Sequence, residues 1–257
     1  MKLVTWNVNS IRVRQERLLA FLRRHAPDVV CLQELKVEDA KYPHELLEAA
    51  GYRSYVHGQK TYNGVAILTR SDASDVVVGL GDGVEDPQAR FVSAVVRGIR
   101  VASVYVPNGG EVGSDKWAYK RVFYGRLRGW LERHVNPAEP FALCGDFNVA
   151  PAAIDVHEPA SWEDDVLFHP QARSDLAGLL SFGLVDTVRA VRGDEPGLFS
   201  WWDYRMLAFP KNRGLRIDHI LATRPLAGRC VEALIDRDER KGDAPSDHAP
   251  VIVRFRE

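Results

Sequence analysis

The residues best suited to chemistry sit where apolar runs end: Asn7, Glu34, Tyr105, Asn108, Asp146, Asn148, Asp218 and His248. A strand that ends in a carboxylate or amide gives up burial there, and a layered scaffold holds such groups rigidly enough for a reaction. The set offers carboxylates and amides, one convincing histidine and no cysteine. Hard oxygen donors of this kind suit Mg²⁺ or Mn²⁺ rather than Zn²⁺. Magnesium is usually held by about one or two carboxylates, with water and substrate phosphate completing its shell. Glu34, assisted by Asn7 or Asp218, fits that habit.

Spacing adds orientation. In GDFN, Asp146 and Asn148 are two apart and face one side of an extended chain. In RIDH the same alternation puts Arg216 and Asp218 on one face and His219 on the other, so His219 is expected in the core or on the far face. Singly, each feature has a bland reading. GDFN suits a strand-ending turn, Glu34 and Lys36 a surface pair, and the SDH of PSDHAP a turn or cap. What distinguishes them is their recurrence, in order, at strand ends.

The elements that must carry these groups follow from periodicity. KLVTWNV opens as a strand, and Ser10 precedes a helix through about His25, stopped by Pro27. DVVCLQE is a short buried strand, and YPHELLEAAG is a helix closed by Gly51. YRSYVH, GVAILT, DVVVGL, FVSAVVR and IRVASVYV are strands separated by tight turns. A long helix from Lys116 to about His134 leads to the strand FALCGDFN. After a loop-rich stretch (150–172) come a helix near Ser174–Phe182 and strand-like runs at LFSWWDY, LRIDHILAT, CVEALI and APVIVRF. Hairpins mixed with strand–helix–strand units imply an α/β sandwich rather than an all-parallel sheet. With no linker or internal repeat in view, residues 1–257 are expected to form one domain.

The formal net charge of −1 excludes a global positive field, so a polyanionic partner would need a local basic face and bound metal. Cys31, Cys144 and Cys230 each lie in an apolar stretch and read as free thiols in a reducing compartment. MKLVTWNVNS turns polar too early for a secretory segment, and no apolar run approaches a membrane span. The expectation is a cytoplasmic protein with no membrane partner.

Taken together, TWNVNSIR (5–12), LQELK (32–36), NGVAIL (63–68), YVPNG (105–109), GDFN (145–148), FSWWDYR (199–205), GLRIDHIL (214–221) and PSDHAP (245–250) resemble the exonuclease III family of abasic-site endonucleases. That family lies within the endonuclease/exonuclease/phosphatase fold. The resemblance spans essentially the whole chain. It implies a four-layered α/β sandwich, two mixed β-sheets packed face to face and flanked by helices. It implies a Mg²⁺-dependent hydrolase, with Mn²⁺ able to substitute, that cuts the phosphodiester 5′ to abasic sites and leaves a 3′-hydroxyl. A 3′-to-5′ exonuclease and cleaning of blocked 3′ ends in double-stranded DNA would accompany it. With no interface identified in the residues, a monomer is expected.

By motif, Glu34 is similar to the family's metal-binding glutamate, Asn7 to a neighbouring phosphate and metal contact, and Asp247 to a further acidic position near the metal. Tyr105 resembles the tyrosine on the scissile phosphate, and Asp146 the aspartate that activates or orients water, with Asn148 alongside. His248 resembles the histidine on the phosphate, and Asp218 the carboxylate that orients its ring. Asn108 joins them as a substrate contact. Trp201 and Leu215 resemble the apolar wall around a flipped-out baseless sugar, a pocket too small for a base. Lys116, Lys120 and Arg205 are expected to track phosphates. One departure is Leu35, where the family commonly has Thr. It is expected to alter packing only. Two rivals share the scaffold: a phosphodiesterase or phosphatase acting on a non-DNA substrate, and a catalytically silent regulatory or RNA-interaction protein. The second should have lost one of Glu34, Asp146, Asp218 or His248, and all are present.

Overall fold

The computed structural model describes residues 1–257. In chain order its strands are β1 (Lys2–Asn7), β2 (Val29–Gln33), β3 (Arg53–His57), β4 (Val65–Thr69), β5 (Ala73–Val78) and β6 (Phe91–Val96). They continue with β7 (Ile99–Tyr105), β8 (Phe141–Asp146), β9 (Leu184–Asp186), β10 (Asp218–Thr223), β11 (Cys230–Ile235) and β12 (Val251–Phe255). The principal helices are α1 (Gln15–His25), α2 (His44–Ala49), α3 (Asp115–His134) and α4 (Pro170–Leu180).

The strands form two six-stranded sheets, ordered β11-β12-β1-β2-β4-β3 and β5-β6-β7-β8-β10-β9. Each is mixed, because one parallel pair, β1 with β2 or β7 with β8, sits among antiparallel neighbours. The order repeats. In each sheet a helix crosses between the parallel strands, and the next two strands pair antiparallel with the second of them lying inside. The sequence reading found no repeat, and this one exists in topology rather than in residues.

Three buried clusters define four layers. One lies between the sheets and takes Leu3, Val29, Cys31, Val101, Ala142, Cys144 and Ile220. A second joins α3 and α4 to the outer face of the second sheet, and a third joins α1 and α2 to the outer face of the first. Helix α3 buries Trp117, Lys120, Phe123, Tyr124, Leu127, Trp130 and Leu131, a run at helical spacing, and Ser114 caps its start by accepting from Trp117 N at 3.2 Å. Truncating a fully buried ring such as Trp130 to alanine would cost about 3–5 kcal/mol. No helix is long and apolar enough to cross a membrane.

Several boundaries differ from the sequence reading. α1 starts five residues after Ser10 rather than directly after it. Asn9 and Ser10 hold positive φ (44° and 89°), Ser10 N donates to Glu34 O, and the helix begins at Gln15. LFSWWDY is not a strand, since only Trp201 makes isolated bridges, to Leu215 and His248. A short helix, Thr187–Arg192, capped by Asp186, was not foreseen. The strand in LRIDHILAT begins only at Asp218, which matters for the site.

Candidate active site

Between the sheets, side chains change character along the strands. On β1, Leu3 is followed on the same face by Thr5 and Asn7; on β7, Val101 by Ser103 and Tyr105; on β8, Ala142 and Cys144 by Asp146. Thr5 donates to Gln33 Oε1 (3.2 Å) and Gln33 to Ser103 Oγ (3.1 Å), so a buried polar layer separates the apolar floor from the strand ends. The carboxyl ends of both parallel pairs therefore meet at one place, the position where layered α/β proteins put ligands.

Backbone register sets three of the groups in a row. Tyr105 pairs with Asp146 across β7 and β8, and Asp146 with Asp218 across β8 and β10. Opposite them, Asn7 ends β1, and Glu34 leaves β2 through a left-handed turn (φ 52°). Asn7 joins the two sheets, donating to Glu34 Oε1 at 2.8 Å and to Asp146 Oδ2 at 3.0 Å. Asp146 Oδ1 accepts from Asn148 N at 2.9 Å, and Asn148, also left-handed (φ 51°), takes a bond from Asn108 Nδ2 at 3.1 Å.

The segment PSDHAP brings in the histidine. Ser246 Oγ donates to Asn7 O (2.7 Å), and the Trp6 indole donates to His248 O (3.1 Å), which pins the turn to β1. His248 Nδ1 donates to Asp218 Oδ2 at 2.8 Å, and Nε2 lies 3.7 Å from Asp146 Oδ2. Ser200 locks the acceptor: its hydroxyl donates to Asp218 Oδ2 (2.6 Å) and receives Ile217 N and Asp218 N.

Burial and charge set the proton states. Burial, with the Asp218 carboxylate adding to it, pushes Asp146 up to about 7 against the opposing pull of His248. Burial works against the charged form of His248, but Asp218 and Asp146 together raise it to about 10. Tyr105 is held well above the usual phenol range by burial and by Glu34 and Asp146. Near neutral pH the site thus presents a neutral phenol donor, an imidazolium donor and a buried carboxylate able to take a proton.

Glu34, Asp146 and His248 offer ligand atoms within 4.8 Å of one another. Asn7, expected as a metal contact, turns Nδ2 to both carboxylates and Oδ1 to Asn9 N. His248 is committed to Asp218 through Nδ1 and is cationic, so Glu34, with the Asp146 carboxylate facing it, is left to hold a metal. That donor set fits a hard cation with few protein ligands. Lys36, 2.9 Å from Glu34 Oε2, faces the same carboxylate, so the sequence pairing of Glu34 with Lys36 is real and lies at the site.

Other expected residues lie elsewhere. Asp247 is outside the trio. Its oxygens accept from Asn9 Nδ2 (2.9 Å) and Trp201 Nε1 (3.0 Å), so it steadies Trp201. Lys120 cannot track phosphate, because it is fully buried and its ammonium bonds the carbonyls of Asn108, Asn148 and Val166 at 3.0, 2.7 and 2.7 Å. Burial pushes its pKa down to about 7, while the carbonyls take all the hydrogens of its charged form. Leu215 is also wholly buried. It pairs through its backbone with Trp201 and is not among the residues that line the hollow beside that ring. Arg216 does not share a face with Asp218: it bonds Asp155 and Asp186 at 2.7 Å and donates to His219 Nδ1 at 3.0 Å. His219 is a core histidine, donating from Nε2 to Val149 O at 3.0 Å.

Trp201 and Trp202 diverge as adjacent residues on extended chain should. Trp202 is buried between the sheets, while Trp201 meets Trp162 edge to face, with centroids 6.2 Å apart. Trp162, which sequence reasoning missed, lines with Trp201, Arg205 and Met206 a hollow of about 340 Å³. Asn108, Lys116 and Arg205 are exposed, and Arg205 pairs with Asp203 at 2.7 Å. Asn9 and Ser200 were also missed, although both lie inside the quoted motifs. Leu35 is buried with the outer core of the first sheet.

Residues 4–248 match the model of the endonuclease/exonuclease/phosphatase family. Exodeoxyribonuclease III of Haemophilus influenzae is 36% identical over the full length of both chains. The chain belongs to the exodeoxyribonuclease III family. Like other enzymes of the family it is a metal-dependent nuclease of DNA repair. Among solved structures, an AP endonuclease from Archaeoglobus fulgidus superimposes with a TM-score of 0.97 at 38% identity over all of both chains. The 3′ phosphatase NExo from Neisseria, bound to product DNA hairpin, gives 0.96 at 39%, again over all of both. The exodeoxyribonuclease III fold thus surrounds this chain with relatives named for different reactions on DNA.

Proposed function

We propose that this nuclease uses Mg²⁺, with Mn²⁺ as a substitute, to hydrolyse the phosphodiester 5′ to abasic sites in double-stranded DNA, leaving a 3′-hydroxyl. The same centre would act on blocked 3′ ends and as a 3′-to-5′ exonuclease, in a cytoplasmic monomer. The observation that carries this reading is the row Tyr105–Asp146–Asp218, with His248 and Glu34 over it and the Trp201–Trp162 hollow beside it.

Each residue has a task set by its proton state. Asp146, raised to about 7 and steadied by Asn7 and Asn148, takes a proton from the attacking water. His248, kept cationic by Asp218, and Tyr105, kept neutral, donate to phosphoryl oxygens where charge grows. Glu34, oriented by Asn7 Nδ2, would hold the metal, which would supply Lewis acidity and help stabilise the departing 3′-oxygen. Trp201, anchored by Asp247, offers an aromatic face to a sugar without its base.

The test is a comparison of turnover on three duplexes: one with an internal tetrahydrofuran abasic analogue, one with a recessed 3′-hydroxyl end and one with a 3′-phosphate. The proposal expects the abasic duplex to be cut with the highest kcat/KM. Turnover confined to the two 3′-end substrates would overturn the abasic assignment.

A further inference from the structure

From the tryptophan hollow to Glu34 runs an unbroken chain of polar side chains. The Trp201 indole donates to Asp247 Oδ2 at 3.0 Å, and Asp247 Oδ1 accepts from Asn9 Nδ2 at 2.9 Å. The other end of the same amide, Asn9 Oδ1, accepts from the Lys36 ammonium at 2.5 Å, and that ammonium lies 2.9 Å from Glu34 Oε2. Chemistry fixes the direction of the amide. An ammonium only donates and a carboxylate only accepts, so Asn9 can sit in this chain one way round. Against the push of burial, His248, the Trp201 indole and the Asn9 amide hold the Asp247 carboxyl below its usual range, which keeps it the acceptor.

Asn9 is fixed through its backbone as well. Its N–H donates to Asn7 Oδ1 (3.0 Å), and its carbonyl accepts from Arg14 Nη1 (2.8 Å). Its φ of 44° lies in the left-handed region, which asparagine enters more readily than most residues. Lys36, by contrast, is shared between Glu34 and Asn9, and it competes with a divalent cation for the Glu34 carboxylate. Displaced by that cation, it is left with Asn9 Oδ1. That oxygen is presented to it while Asp247 holds the amide nitrogen, and Asp247 is held in turn by the indole. We infer that, with the metal on Glu34 as in the proposed function, Asn9 is a positioning residue that couples cation binding there to the seating of Trp201.

Such a coupling is reciprocal. With a cation on Glu34, Lys36 turns to Asn9 and the hold on Asp247 and the indole tightens. A sugar seated against Trp201 steadies the same chain from its far end and favours the cation. Loss of the indole donor slackens Asp247 and Asn9, returns Lys36 to Glu34 and weakens cation binding. Metal binding and recognition of a missing base thereby become one equilibrium rather than two.

The experiment measures Mn²⁺ dissociation constants without DNA, from the electron paramagnetic resonance of the free ion. Trp201→Phe is compared with wild type, and again in Asn9→Gly and Lys36→Met backgrounds. Glycine keeps the left-handed backbone while removing the amide. Lys36→Met cuts the chain at a partly exposed residue, should Asn9→Gly not fold. Trp201→Phe alone should raise the constant about threefold, the scale of coupling within one hydrogen-bonded network. Asn9→Gly should weaken Mn²⁺ binding, and Lys36→Met, which removes the competitor, should tighten it. In both backgrounds Trp201→Phe should then add less than about 1.5-fold. On addition of Mg²⁺ the Trp201 indole N–H resonance, identified by its loss in Trp201→Phe, should move in wild type and stay in place in Asn9→Gly. A Trp201→Phe effect of equal size in every background, or none in wild type, would overturn the coupling. Tighter Mn²⁺ binding in Trp201→Phe would also overturn it, by assigning Asp247 to the metal. Wild type without saturable Mn²⁺ binding would instead overturn the metal assignment on which the coupling rests.

Discussion

His248 and Asp218 form a buried pair, Nδ1 to Oδ2 at 2.8 Å, in which the ring's other nitrogen is aimed toward Asp146. The pair fixes ring orientation and keeps the imidazole charged far above its ordinary range.

The pH dependence follows with a definite sign. Activity needs Asp146 deprotonated and His248 protonated, so kcat/KM rises through the acidic limb set by Asp146 and falls as His248 loses its proton near 10. Asp218→Asn removes the carboxylate that holds His248 up. The alkaline limb should then move down toward the usual histidine value of 6.5, and kcat should fall roughly 100-fold. A pH–rate profile checks this, and an alkaline limb unmoved by the substitution would separate Asp218 from the histidine's charge.

Lys120 is expected to matter through the loops it holds. Lys120→Met leaves the carbonyls of Asn108, Asn148 and Val166 without their donor while removing a buried charge. The net cost should be about 2–4 kcal/mol in urea unfolding. KM should rise as well, because two of those carbonyls belong to residues beside the phosphate. An unchanged unfolding midpoint would contradict this account of the lysine.

Trp201→Ala should separate the reactions. Without the ring that faces Trp162 and bonds Asp247, incision at a tetrahydrofuran site should fall about 100-fold, while removal of a 3′-phosphate should fall less than about tenfold. Trp201→Phe keeps an aromatic face but loses the indole donor, and should lie between. Equal losses on both substrates would mean that the ring acts on the centre as a whole.

The outlines of this fold were legible because polar residues interrupt apolar strands at few places, and those places converge. Asn7, Glu34, Tyr105, Asp146, Asp218 and His248 needed only strand ends to be found. The errors have physical causes. Alternation misassigned Arg216 because the strand begins only at Asp218. Lys120 looked like surface charge, but it lies on the α3 face that also carries Trp117, Phe123 and Tyr124. Asp247 was placed near the metal by its match to a family motif, whereas its oxygens accept from Asn9 and Trp201. The repeat of topology between the sheets left no trace in residue pattern, since each half fills a different core.

Leu35 tests how far a departure from family habit is a matter of packing. It is buried, its N–H donates to Gly64 O at 3.1 Å, and a Cβ on Gly64 would lie 2.9 Å from its own. Leu35→Thr should cost about 1–2 kcal/mol of stability and change kcat/KM by less than about threefold. A large loss of activity in a stably folded variant would show that residue 35 shapes the Glu34 turn directly.

The central claim is that Glu34 and its neighbours hold a metal used to hydrolyse the DNA backbone beside an abasic site. The most direct measurement incubates the purified protein with a labelled duplex carrying one tetrahydrofuran residue, with Mg²⁺ or with EDTA, alongside Glu34→Ala. The analogue cannot undergo β-elimination, so a product extendable by a DNA polymerase must carry a hydrolytic 3′-hydroxyl. The account predicts that product with Mg²⁺ alone, its absence in EDTA, and at least about a 100-fold loss in Glu34→Ala. Equal cutting in EDTA, or undiminished cutting by Glu34→Ala, would contradict it.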